Sequence, residues 1–157
     1  MRTETVPASI RLAGESIAVT GAEGLTLAFG SPRDAVEREI AAVLGKPTDK
    51  SSNEECGAGP MEFSAYQGGL TVTFQDGKLT GWYLDRDEDS RDISTSENIT
   101  IGSVESALTK AYSVKPQIDS TLGDEFYTTE GVAGFLSGQG DAKVVESLFA
   151  GTNCFFR

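Results

Sequence analysis

Carboxylates are the main groups able to do chemistry in this 157-residue chain: there are 24 Asp and Glu, two Cys and no His. Without histidine there is no Ser-His-Asp or Cys-His nucleophile, no His-based zinc site and no HExxH metalloprotease motif. No Ser-x-x-Lys pair, GxxxxGK[ST] phosphate loop or GxGxxG turn following a strand occurs either. Gly138-Gln139-Gly140 reads as a hairpin turn. Asp85, Asp87 and Asp89 alternate like the start of an EF-hand loop. Position six is Ser90 instead of glycine and position twelve is Ser96 instead of glutamate, so the stretch reads as a solvated linker. No two carboxylates form a recognisable acid–base pair in the sequence, and the separation that decides glycosidase chemistry is a spatial quantity. The expectation is a protein with no catalytic residues, no metal and no cofactor.

Lys and Arg number 13, so the formal charge is -11. Nucleic acids and anionic membranes need a basic surface, which argues against both as partners. No apolar run approaches the ~20 residues of a membrane-spanning helix. The apolar share is 38%, enough for a globule with a buried core.

The two cysteines, Cys56 and Cys154, match no redox or zinc spacing. Cys56 lies in a polar Gly/Pro loop, Glu54 to Pro60, where a free structural cysteine is out of place. One disulfide between them is expected, and with it an oxidising compartment. A loop of about 100 residues closed in this way is worth at most about 4.7 kcal/mol in the chain-entropy description. Met1-Arg2-Thr3-Glu4-Thr5 reads as an initiator placed before a mature exported domain. A periplasmic or secreted location is the expectation.

Two helices and several short strands must position any site. Residues 9–12, 17–20 and 25–29 are strand-like runs separated by glycine turns. Gly30-Ser31-Pro32 opens a helix that carries Val36, Ile40, Val43 and Leu44 on one face and ends at Gly45 and Pro47. Residues 46–60 read as a polar loop. Gly68-Gly69 and Asp76-Gly77 are favoured two-residue hairpin turns, which imply a meander of 62–67, 70–75 and 78–84. Gly102-Ser103 opens a second helix with Val104, Leu108, Ala111 and Tyr112, closed by Lys115-Pro116. Strands follow near 125–129, 132–137 and 142–149. The domain division is residues 1–84, N-terminal strands plus a first repeat; 85–97, an acidic linker; and 98–157, a second repeat. The predicted fold class is α+β. Two helix–loop–three-strand repeats form an antiparallel sheet with helices packed on one face.

Two-residue turns fix the register, so the faces of the meander can be assigned. Phe63–Phe74–Leu79, Ala65–Val72–Gly81 and Gln67–Leu70–Tyr83 make a core face. Glu62–Gln75–Lys78, Ser64–Thr73–Thr80 and Tyr66–Thr71–Trp82 make a polar one. Tyr66, Thr71 and Trp82 are then the candidate binding residues, since large amphipathic rings dominate binding hot spots. The alternative is that the N-terminal strands or the linker cover this face and make Trp82 core. Phe126 and Phe135 sit opposite each other in the second meander if Glu130-Gly131 is its turn. They extend the candidate surface, with core packing as the other reading. Asn98-Ile99-Thr100 has the form of a glycosylation acceptor.

Gly30-Ser31-Pro32 with Val36 and Leu44-Gly45-Lys46-Pro47 resembles the helix signature of small outer-membrane assembly lipoproteins of the BamE type (SmpA/OmlA). The tandem arrangement, length and acidity resemble the β-lactamase inhibitory protein family. That likeness implies two repeats presenting a sheet to a target enzyme. The inhibitor family carries more disulfides than the one pair available here, and none of its inhibitory residues can be placed on this chain. Cys56 to Trp82 is also similar to exported alphaproteobacterial proteins, a likeness that implies no activity. The expected function is that of an exported, non-catalytic module binding a protein partner, inhibitor-like, through an open sheet face. An envelope assembly lipoprotein domain and a carboxylate-based hydrolase are the alternatives.

Overall fold

Glycine turns divide the chain into more strands than their spacing alone suggests. The computed structural model describes residues 9–20, 25–56, 59–86, 93–117 and 123–153. Three strands come first: β1 (Ser9–Leu12), β2 (Ser16–Thr20) and β3 (Leu25–Ala28). Helix α1 (Arg33–Leu44) leads into β4 (Asp49–Asn53), β5 (Met61–Ala65), β6 (Leu70–Gln75) and β7 (Lys78–Leu84). After β8 (Ile93–Thr95), helix α2 (Glu105–Ala111) leads into β9 (Val114–Pro116), β10 (Asp124–Thr128), β11 (Ala133–Ser137) and β12 (Val144–Gly151).

An eight-stranded sheet runs β4-β5-β6-β7-β12-β11-β10-β9, and a four-stranded sheet runs β3-β2-β1-β8. The described residues are therefore mostly β, with twelve strands and only two α-helices. This corrects the expected α+β architecture of helix–loop–three-strand repeats covered by helices. The helices are minor, and a second sheet supplies much of the cover. Part of the expected acidic linker is also structural, because Ile93–Thr95 pairs in parallel with β1.

One hydrophobic core joins the layers. Ile10, Leu12, Ile17 and Leu27 from the small sheet meet Leu70, Val72, Phe74, Leu84 and Leu148 from the large one. Helix α1 adds Val36, Ile40 and Leu44, four residues apart on a single face, and α2 adds Leu108. Pro32 sets the backbone before α1 at φ -62°, and Gly45 ends the helix at φ 87° with its N–H donated to Ala41 O. The Ser31 hydroxyl donates to Ala28 O instead of capping the helix.

Register decides which side chains face that core. Asp76 (φ 53°) and Gly77 (φ 74°) make the expected tight turn, with Gln75 opposite Lys78. One bulge then inserts Thr80, so that Gly81 opposes Thr73 and Trp82 opposes Val72. A single extra residue sends every later side chain of β7 to the other face. The turn before β6 differs too. Its loop is Tyr66 to Gly69, the Tyr66 N–H is donated to Leu70 O, and Ala65 opposes Thr71 instead of Val72. The expected faces therefore hold for neither β5 nor the later part of β7.

A polar cluster ties α1 to the large sheet. Buried Ser64 donates to Glu37 at 2.6 Å and receives Arg33 Nη2 at 3.3 Å. Arg33 also pairs with Glu62 and with Glu37 (3.4 Å), and its guanidinium lies 4.9 Å from the centre of the Phe74 ring. Lys50 of β4 reaches Glu37 at 3.3 Å. Burial raises the Glu37 pKa, but Ser64, Arg33 and Lys50 together outweigh it and hold it below the ordinary 4.5. A carboxyl held low in the folded state contributes stability above its unfolded pKa and loses it as pH falls through the folded value. Glu37→Gln should therefore lower the melting temperature at pH 7. Thermal scans should show the gap to wild type closing as the pH drops below about 4.5. A constant gap down to pH 2 would contradict the assignment.

Candidate functional site

The expected exposed aromatic surface is not where the sequence places it. Trp82 is 0% exposed and its indole N–H donates to Ala13 O at 2.8 Å, beneath the β1–β2 hairpin. The alternative reading, in which N-terminal strands cover this face, describes its position. Tyr66 is 3% exposed in the same core. Burial, with Glu37 adding and Arg33 opposing, pushes its phenol pKa well above the usual value. Phe126 is buried in the core, with its ring against the Cα side of Gly134. Phe126 opposes Gly134 and Phe135 opposes Glu125, so the two phenylalanines are not cross-strand partners. Of the five candidates, Thr71 and Phe135 lie on the face turned away from the core. Thr71 is half-buried there and Phe135 is buried.

That outer face of the eight-stranded sheet holds the side chains that alternate with the core residues. On the first meander these are Phe63, Ala65, Thr71 and Thr73, and beyond the bulge Tyr83. Tyr83 opposes Phe149 across the β7–β12 join, and the two rings stack with centres 6.0 Å apart and planes within 6°. Phe135 continues the row, 5.7 Å from Phe149. Tyr127 on β10 is 43% exposed.

Near one end of this row lies a recess of about 300 Å³. Tyr83, Phe135 and Ser147 form its inner wall, while exposed Asp85, Asp124 and Glu146 stand around it beside Gly123. Glu146 is there because of a second bulge: Phe135 pairs with Ser147 and Leu136 with Val145, leaving Glu146 as the extra residue. Burial raises the Tyr83 phenol pKa, and Asp85 and Glu146 raise it further against a hydrogen bond with Ser147. Lys143 pairs with Asp124 at 2.6 Å, and that contact raises the ammonium pKa. Among the described residues no group of three or more carboxylates or cysteines is arranged to hold a metal ion. The recess can therefore sort ligands by positive charge and by a flat apolar body.

No family, curated protein or solved structure matches this chain. The site thus rests on its own geometry. Three of its members carry no mark in the sequence. Tyr83 falls on the expected core face, and the bulge at Thr80 moves it to the outer one. Phe149 sits in the apolar run Leu148-Phe149-Ala150, where alternation is hidden. Glu146 owes its place to a bulge that no turn residue announces. Cys56 is 6% exposed, and its expected partner Cys154 lies outside the described residues. So do Asp87 and Asp89 of the acidic stretch. Asn98 is exposed in a tight turn with φ 66°. No helix among the described residues is long and apolar enough to cross a membrane.

Proposed function

We propose that this protein is an exported, non-catalytic binding module that takes a basic protein partner on the outer face of its eight-stranded sheet. The observation that carries the reading is the meeting of half-buried Tyr83, backed by the buried rings of Phe149 and Phe135, with an acid-lined recess on one sheet face. Aromatic anchors bordered by charge are the usual anatomy of a protein interface. The net charge of -11 favours a basic target and speeds encounter with it. An inhibitor-like action fits such a surface. Export rests on the proposed Cys56–Cys154 disulfide, which needs an oxidising compartment.

Photo-crosslinking tests the surface. A benzoylphenylalanine placed at Tyr127, on the outer face, should give a discrete adduct in extracts of the source cells. The same group at Arg38, which is 72% exposed on α1, should give none. Adducts from position 38 with none from position 127 would contradict the proposal.

A further inference from the structure

We propose that the recess beside Tyr83 receives an arginine side chain of the partner, with its guanidinium laid against the aromatic wall and held by the carboxylates around it. This deepens the binding-module reading and rests on it. Size comes first. A volume of about 300 Å³ is at the bottom of the range for small-molecule sites and suits one inserted side chain better than a cofactor.

Charge comes second. Three carboxylates, Asp85, Asp124 and Glu146, line the opening, and none of the lining residues is basic. Lys143 already pairs with Asp124. Among the described residues neither Asp85 nor Glu146 has a basic partner, although Asp85 accepts the Arg86 backbone N–H at 2.7 Å. Both carboxylates act on the Tyr83 phenol, so their field reaches the inner wall.

Shape comes third. The wall is made of ring surface from Tyr83 and Phe135 together with the Ser147 position. A planar, delocalised cation stacks on rings and forks its N–H donors to carboxylates, whereas a compact ammonium does only the second. The exposure of the three carboxylates leaves the mouth open to a chain arriving across the sheet face.

The test uses the full chain and amide NMR spectra. The probes are N-acetyl-arginine methylamide, its lysine analogue and its neutral citrulline analogue. The arginine probe should shift the Gly123, Glu146 and Ser147 amides saturably, at least tenfold more tightly than citrulline and more tightly than lysine. The exposed double variant Asp85→Asn/Glu146→Gln should keep its remaining spectrum and weaken the arginine probe at least tenfold. Equal binding of arginine and citrulline, an unchanged affinity in the double variant, or shifts located elsewhere would overturn the assignment. Lysine binding as tightly as arginine would overturn the planar-cation part. Crosslinking from position 127 without probe selectivity leaves the binding module standing and removes the arginine. Probe selectivity with no crosslinked partner supports the recess and removes the protein-binding reading.

Discussion

Gly151→Ala should destabilise the protein by about 3 kcal/mol or more, as read from denaturant midpoints. Gly151 pairs directly with Gly81 at one end of the β7–β12 join, which among the described residues is where the two meanders of the large sheet meet. A Cβ on Gly151 would lie 2.2 Å from Thr80 O and 2.5 Å from the Phe29 ring. Its φ of 71° adds strain for any side chain. Gly81 is hemmed in as tightly, since a Cβ there would come within 2.3 Å of Thr152 O. Backbone oxygens cannot swing aside, so relief requires the strands to part. Gly77→Ala is the control. It has a similar φ of 74° but open space around it, so it should cost only the backbone term of about 1 kcal/mol. Equal losses at positions 151 and 77 would contradict the close approach at the join.

Trp82→Ala should cost about 3–5 kcal/mol, the usual range for removing a large buried aromatic. The typical stability of a domain is about 5–15 kcal/mol, so the variant should be marginal, and urea titration at low temperature is the suitable measurement. Trp82→Phe separates the two parts of the loss. It keeps most of the ring volume but leaves Ala13 O without the indole N–H, a cost of about 1–3 kcal/mol. That contact links the β1–β2 hairpin to the large sheet, so its loss should loosen the hairpin first. Faster amide exchange at Ile10 to Ile17 than at Leu70 to Phe74 in Trp82→Phe would show it. A Trp82→Ala variant as stable as wild type would place the indole outside the core.

Much of the strand order was legible because glycine and asparagine-like turns mark it plainly. The Asp76-Gly77 hairpin, the start of α1 at Pro32 and its end at Gly45 lie where the residue types put them. Three strands were hidden for definite reasons. Asp49-Lys50-Ser51-Ser52-Asn53 has no apolar alternation, because β4 is a polar strand at the edge of the large sheet, paired with β5. Ile93–Thr95 is three residues long and forms through pairing with β1, a contact distant in sequence. Val114–Pro116 reads as a helix terminator, since Lys-Pro ends helices as readily as it closes an edge strand.

The faces of the large sheet were less legible than its strands. One extra residue on either side of β6 reverses them. Gly68 and Gly69 both have positive φ, as a two-residue turn would require, yet the loop also takes in Tyr66 and Gln67. Thr80 has no property that marks it as a bulge before its neighbours are seen; packing selects it. With Thr80 set aside, β7 buries Trp82 and Leu84 and turns Tyr83 outward. Without it, the same strand would bury Tyr83 and expose the indole. The aromatic row and the recess follow from the first arrangement alone.

Trp82 is the sole tryptophan, so its fluorescence reports on that arrangement without any variant. The native protein should emit at short wavelength, resist acrylamide quenching, and shift to the red only on unfolding. A native emission already red-shifted, and quenched by acrylamide as readily as the unfolded chain, would put the indole in solvent. It would return Tyr83 to the core and remove the outer-face site.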